Sequence, residues 1–170
     1  MNMILPPYEQ HPTISNQTIT LREIRATDVK ELIEISFYDA VQATSVEQAA
    51  EMQEKINLDY INGNSIHWGI VDNKTNSIVG TCGYYRGLDK GEGELGCVLL
   101  SKYRGKGYMS AALLLAIEFG LQTIGLRRIW AATTTDNHKA IRLFENIGFV
   151  KIGYLNEGEV EYELKFIKEC

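Results

Sequence analysis

The chain has 170 residues, 45% of them hydrophobic, with a net charge of −5 and a pI of about 5.3. That apolar content supports one domain with a sizeable core and excludes a disordered chain. The acidic balance argues against direct nucleic-acid binding, which calls for a strong basic excess.

Residues 1–17 hold all three prolines and read as a tail or extended lead-in to a single domain over 18–170. They lack the basic n-region and long apolar stretch of a signal peptide. Thr18 to Ile24 alternates Ile19, Leu21 and Ile24 with polar residues and predicts a first strand. Thr27 or Asp28 can cap a helix carrying Val29, Leu32, Ile33, Ile35 and Phe37. Ser45-Val46-Glu47-Gln48 spells a capping box and predicts a second helix toward Tyr60, ended by Asn62-Gly63-Asn64. Strands follow at about 66–71 and 77–85, joined as a hairpin at Asp72-Asn73-Lys74, then a third over 92–100. A glycine turn leads into a helix over 109–123, with Leu113, Ala116, Ile117 and Leu121 on one face. Arg128–Thr134 is rich in β-branched residues and predicts a strand. Asn137 can cap a helix to Ile147, broken by Gly148. Strands over 149–155 and 160–166 close the chain as a hairpin around Asn156-Glu157-Gly158. The order β-α-α-β-β-β-α-β-α-β-β predicts an α/β (α+β) domain, a mixed sheet with helices on both faces. No apolar run approaches a membrane span. Cys82, Cys97 and Cys170 are scattered without a C-x-x-C pair, so reduced thiols and a cytoplasmic location are expected.

The turn Tyr103-Arg104-Gly105-Lys106-Gly107-Tyr108-Met109-Ser110 carries the most chemistry. Strand, short glycine turn and helix start together form a phosphate cradle. Glycines let backbone N–H groups face an anion, and the helix N-terminus adds partial positive charge. No Walker loop occurs, since no window reads G-x-x-x-x-G-K-[ST]. A dinucleotide spacing occurs at Gly91-Glu92-Gly93-Glu94-Leu95-Gly96, but it leads into a strand rather than a helix. The turn is therefore either an ordinary connector or a site for a phosphate-bearing ligand of another kind.

At this point the chain resembles the GNAT superfamily of N-acetyltransferases. Their signature, Q/R-x-x-G-x-G/A, lies between the fourth strand and the third helix and reads here Arg104-Gly105-Lys106-Gly107-Tyr108-Met109. Met109 departs from the usual Gly or Ala. Glu94-Leu95-Gly96-Cys97-Val98-Leu99 is similar to the strand before the signature. Thr135 to Phe149 is similar to the family's N-x-x-S…G-F segment. The likeness covers about residues 18–167 and runs nearest to the ribosomal-protein-alanine N-acetyltransferase branch. It implies a mostly antiparallel six- to seven-stranded sheet that splays between its fourth and fifth strands.

The resemblance implies acetyl-CoA as cosubstrate, with no metal. Backbone groups of Cys97, Val98 and Leu99 would meet the pantetheine as an added strand would. Amides of Arg104, Gly105, Lys106, Gly107, Tyr108, Met109 and Ser110 would hold the pyrophosphate. Asn137 would lie near the pantetheine arm, cap its helix, or both. Lys139 and Arg142 either reach the ribose phosphate or stay solvated. The reaction would be direct attack by a primary amine on the thioester in a ternary complex. A base must take the amine's proton; Glu94 is the candidate, against a plain solvated carboxylate. A backbone N–H at Cys97 is the candidate oxyanion donor. The family's general-acid Tyr corresponds to Phe144 here, so that role is absent or falls to Tyr154, Tyr103 or water. Cys97 as a thiol reads as a small strand residue.

His67 either faces substrate or belongs to a core or surface. His11 and His138 form no metal-ligand spacing with it. The acceptor wall is expected from the helix pair near 28–62 and the loop near 155–160. Glu47, Glu51, Glu54, Asp59, Glu157, Glu159 and Glu161 favour a cationic acceptor or are simply a solvated surface. The acceptor is a protein N-terminus or a small cationic amine, and monomer and homodimer both stay open. The alternative function is a non-catalytic acyl-CoA-binding module.

Overall fold

Eight strands form one sheet in the order β1-β2-β5-β6-β7-β8-β10-β9 in a computed structural model that describes residues 2–165. They are β1 (Ile14–Ser15), β2 (Ile19–Arg22), β5 (Ile66–Asp72), β6 (Ile78–Tyr84), β7 (Glu92–Leu99), β8 (Arg128–Thr134), β9 (Phe149–Asn156) and β10 (Glu159–Leu164). Two more, β3 (Phe37–Tyr38) and β4 (Val41–Gln42), pair only with each other. The helices are α1 (Val46–Ile61), α2 (Tyr108–Phe119) and α3 (His138–Asn146). Every neighbouring pair in the large sheet is antiparallel except β7–β8. The expected mixed, mostly antiparallel architecture is therefore present, with the two-residue β1 as an added edge strand.

Strand alternation assigns the two faces. Tyr84, Leu95, Leu99, Ile129, Ala131 and Tyr162 point to one face, where α2 supplies Ala112, Leu113 and Ala116 to the same core. The buried Tyr84 hydroxyl donates to the Ala116 carbonyl at 2.7 Å, pinning α2 to the sheet. Phe144 of α3 joins this face against Phe149 and Tyr162. On the opposite face α1 packs above β5, and the 3-10 segment before it buries Leu32 and Ile35 with Ile24, Ile78 and Leu100.

The segment after β2 is not the predicted α-helix. It folds as two 3-10 turns, Ala26–Glu31 and Ile33–Ile35, followed by the β3–β4 hairpin. The Asp28 carboxylate accepts from Arg25 N at 2.7 Å and from Arg22 Nη1 and Nη2, at 2.8 and 3.0 Å. Those bonds fix a tight first turn, while β-branched Ile33 and Ile35 disfavour α-helix. Asp39 and Ala40 adopt φ of 48° and 63°, the left-handed pair of a two-residue hairpin turn. The α1 start is as expected: the Ser45 side chain accepts from Gln48 N, though Gln48 reaches back to Thr44 N rather than to Ser45 N. The α2 helix begins one residue early and ends at Phe119, where a π turn over Gly120–Ile124 follows. The lead-in is laid along the core: Tyr8 N donates to the Tyr60 hydroxyl, and Trp68 Nε1 to the Pro12 carbonyl, each at 3.0 Å. Phe166 and Cys170 lie outside the described residues.

Candidate active site

The parallel β7–β8 pairing stops at Glu94↔Trp130, although β7 continues to Leu99 and β8 to Thr134. The two strands therefore part above that point. On its other side β7 pairs with β6 throughout, from Tyr84↔Leu95 to Gly80↔Leu99. Tyr85 N donates to Glu94 O at 3.0 Å, and Leu100 N to Val79 O at 2.9 Å. Antiparallel pairs alternate between bonded and non-bonded, so Gly96 and Val98 spend their backbone groups on β6. The N–H and C=O of Cys97 consequently point into the gap beside β8. Val98 brings a side chain, rather than the free backbone edge expected of it.

The glycine turn closes one end of this gap. Gly105 and Gly107 have φ of +74° and +85°, and a Cβ on either would meet nothing within 4 Å. No protein atom therefore packs above this left-handed backbone. Gly107 is the N-cap of α2 and offers no side-chain cap. Among the described residues no protein group accepts from the N–H groups of 105–110. Six backbone donors at the positive end of the helix dipole are therefore left without protein acceptors, with Arg104 and Lys106 in the same short turn. The Glu34 carboxylate accepts from Ser101 N at 3.0 Å and from the Ser101 hydroxyl, tying the 3-10 segment to the base of this turn.

The opposite face of the sheet carries a cavity of about 600 Å³. Its floor is His67, Thr81, Tyr85, Glu94 and Val98; α1 roofs it with Ala49, Met52, Gln53, Ile56 and Asp59, a single stripe at helical spacing. The 3-10 segment and the β3–β4 hairpin add Leu32, Ile35, Phe37, Tyr38 and Asp39. Apolar walls therefore surround three carboxylates, Asp39, Asp59 and Glu94. The Tyr38 hydroxyl donates to Asp59 at 2.9 Å, and that bond raises the phenol's pKa.

Glu94 is 14% exposed and faces the cavity. Arg86 grips it through two bonds, Nε to Oε2 and Nη2 to Oε1, the second at 3.2 Å. Cys97 lies directly opposite Cys82; the hydrogen bond they share, and then burial, push the Cys97 thiol well above its ordinary value. A thiol so held stays protonated and is no nucleophile. Asn137 caps α3 by accepting from Ala140 N at 3.3 Å, and its amide donates to the Thr133 hydroxyl at 3.1 Å. Phe144 is buried core.

Tyr154 is 67% exposed on edge strand β9, two strands beyond β8, and takes a hydrogen bond from Lys151. Tyr103 stacks edge-on against Tyr108 at 6.1 Å, beside the glycine turn. Of the seven carboxylates expected to draw a cation, only Asp59 lines the cavity; Glu161 binds Arg128 instead. No described residue from 155–160 lines it either. That loop sits at the β9–β10 end, across the gap from the cavity.

His67 does face the cavity, whereas His11 packs against Tyr60 and His138 begins α3. Sequence reasoning missed Tyr85, Thr81 and Arg86. Tyr85 and Thr81 lie two residues either side of Gly83, on its face of the sheet, so the period of two could have found them. Among the described residues no helix is long and apolar enough to cross a membrane, and no group of three or more metal-ligating side chains occurs.

The family model for the acetyltransferase (GNAT) domain matches residues 18–150. An uncharacterized N-acetyltransferase p20 of Bacillus licheniformis is 28% identical over 155 residues, 86% of this chain and 87% of that protein. Two solved structures superpose closely: spermidine N-acetyltransferase from Vibrio cholerae and a GNAT-family acetyltransferase from Bacillus anthracis. The first has TM-score 0.75 at 18% identity, covering 88% of this chain and 94% of that one. The second has TM-score 0.74 at 20% identity, covering 90% and 98%. With its splayed strands, its signature turn and a family match over most of its length, the chain belongs to the GNAT acetyltransferases, which use acetyl-CoA to acetylate amines.

Proposed function

We propose that acetyl-CoA lies in the gap between β7 and β8 and that a primary amine reaches it from the cavity beneath α1. The observation carrying this reading is the position of Cys97. Its unpaired backbone edge lies between the open glycine turn and the floor that Glu94 and Val98 share. The N–H groups of 105–110 take the pyrophosphate, and Arg104 and Lys106 add charge. The backbone of Cys97 and Leu99 continues the sheet onto the pantetheine amides. Asn137 keeps its cap and lies at the far wall of the gap.

When bound, acetyl-CoA supplies a thioester carbonyl that the amine nitrogen attacks, with departure of the CoA thiol. The Cys97 N–H donates to the oxygen that gains charge. Glu94 accepts the amine's proton directly or through water, with Arg86 fixing its carboxylate. The thiol, of pKa about 8.5, leaves with little help, so Phe144 in place of a tyrosine is no obstacle. Asp39, Asp59 and Glu94 draw a cationic amine into an apolar cavity. Both a protein N-terminus and a small amine meet that description.

A thiol-release assay with acetyl-CoA and a panel of peptides, polyamines and aminoglycosides tests this. Turnover on at least one amine, together with a rise in Tm on adding CoA, is the expected result. A CoA-dependent Tm rise with no turnover on any amine would instead support the non-catalytic binding module.

A further inference from the structure

Three strands bring His67, Gly83 and Gly96 abreast on the cavity face, through the pairs His67↔Gly83 and Gly83↔Gly96. The two glycines are not incidental. A Cβ on Gly83 would lie 2.3 Å from the Ile66 carbonyl oxygen and 3.1 Å from His67 Cδ2, and one on Gly96 would lie 2.0 Å from Tyr85 Cε2. Bare backbone at both positions lets the imidazole and the phenol lie across the floor, their ring centres 5.7 Å apart. Thr81 and Arg86 line the cavity beside them.

Among the described residues the His67 imidazole makes no hydrogen bond, and its Nδ1 is buried without a partner. Burial, and then the proximity of His11, push its pKa down to about 4, so the ring is neutral at pH 7. A neutral imidazole carries one proton. Sealing a donor away from every acceptor costs more than sealing a lone pair, as for backbone groups, which assigns the proton to Nε2. That nitrogen is not among the sealed atoms, and the residue opens on the cavity.

We infer that the Nε2–H of His67 donates to an oxygen on the acceptor. The site then selects primary amines carrying a carbonyl or hydroxyl oxygen a few atoms from the reacting nitrogen. This rests on the reading of the cavity as the acceptor site. The cavity divides its labour: carboxylates on α1, β7 and the β3–β4 hairpin attract the ammonium, while His67 and the Tyr85 hydroxyl offer donors to the oxygen. A fully protonated polyamine has only donors. Bound here, it would bury the His67 N–H with nothing to receive it.

The test compares L-leucinamide, leucinol and 3-methylbutylamine, which share the 3-methylbutylamine unit and carry a carboxamide, a hydroxymethyl group or only hydrogen on the amine-bearing carbon, with spermidine as a fourth arm. Each is assayed as kcat/KM on the wild-type chain, His67→Phe and His67→Gln. Phe keeps the ring and removes both nitrogens; Gln restores an N–H near the Nε2 position. Comparing each acceptor across variants cancels the differing basicities of the amines. His67→Phe should lower kcat/KM for leucinamide or leucinol by roughly 10–100-fold and leave 3-methylbutylamine within about twofold. His67→Gln should recover part of the loss, with Tm and CoA affinity unchanged in both. In the free protein, imidazole nitrogen NMR should show a protonated Nε2 and a bare Nδ1. An equal loss on all four acceptors, a preference for spermidine that His67→Phe leaves intact, or a protonated Nδ1 would overturn the inference. Absence of turnover on every amine would overturn the acceptor-site reading and this inference with it.

Discussion

Replacing Gly107 with Ala separates a ligand cradle from an ordinary turn. Gly107 holds φ of +85° at the N-cap of α2, and its missing Cβ points into open space. Alanine there meets no protein atom, so the folding cost is backbone strain alone, about 1–2 kcal/mol. For a chain of this size that lowers Tm by roughly 2–8 °C. The effect on the ligand is separate. A methyl group in the cradle holds a phosphate away from at least one N–H. Hydrogen bonds to charged groups contribute about 1.5–3 kcal/mol, so CoA affinity should fall roughly 10–150-fold. Gly148 supplies the control: it has φ of +100° with only Leu164 Cδ1 nearby, at 3.7 Å, and lies after α3, away from the turn. Gly148→Ala should cost similar stability and leave CoA affinity alone. Titration calorimetry with CoA, beside thermal melts of both variants, decides the matter. Equal CoA affinity in the two variants would refute the assignment of the turn to the pyrophosphate.

Glu94→Gln should lower kcat at least tenfold and flatten the acidic limb of the pH–rate profile, with CoA affinity unchanged; an unaltered profile would remove Glu94 from proton transfer. Gly120→Ala should destabilise by about 1–3 kcal/mol, because its Cβ would lie 2.3 Å from a Tyr84 hydroxyl already held by Ala116. Adding Tyr84→Phe should recover part of that loss in urea unfolding. Burial raises the Asp28 pKa, but the bonds from Arg22 and Arg25 outweigh it and hold the group below 3.8. A depressed carboxylate stabilises the fold above its unfolded value and loses that contribution as pH falls through the folded one. Acid unfolding of the wild-type chain below about pH 4 should therefore be shallower in Asp28→Asn, which at pH 7 should be less stable by roughly 1–3 kcal/mol.

Local signals identified most of the fold because most elements here are locally determined. Ser45 caps α1, Asn137 caps α3, and the period-two strands from β5 to β7 pair as neighbours in sequence. The prediction failed over 28–37, where the decisive bonds run from Asp28 back to Arg22 and Arg25. A helical pattern of apolar residues cannot report those. The signature turn was likewise legible, since Gly105 and Gly107 need a left-handed backbone whatever surrounds them.

The cavity beneath α1, proposed as the acceptor site, behaved differently. Glu94 and His67 come from β7 and β5 and Tyr85 from the residue just after β6, so they meet only through register, and Asp59 joins them from α1. Glu94 was named from its own strand, but its clamp by Arg86 depends on the β6–β7 connection. The sequence by itself determined the family, with the acetyl-CoA its members use, and the left-handed glycine turn, because glycine placement and strand–turn–helix order are properties of one short segment. Only the tertiary structure decided which side chains floor the cavity beneath α1 and which way the Cys97 backbone faces, because those follow from register between strands that no single segment contains.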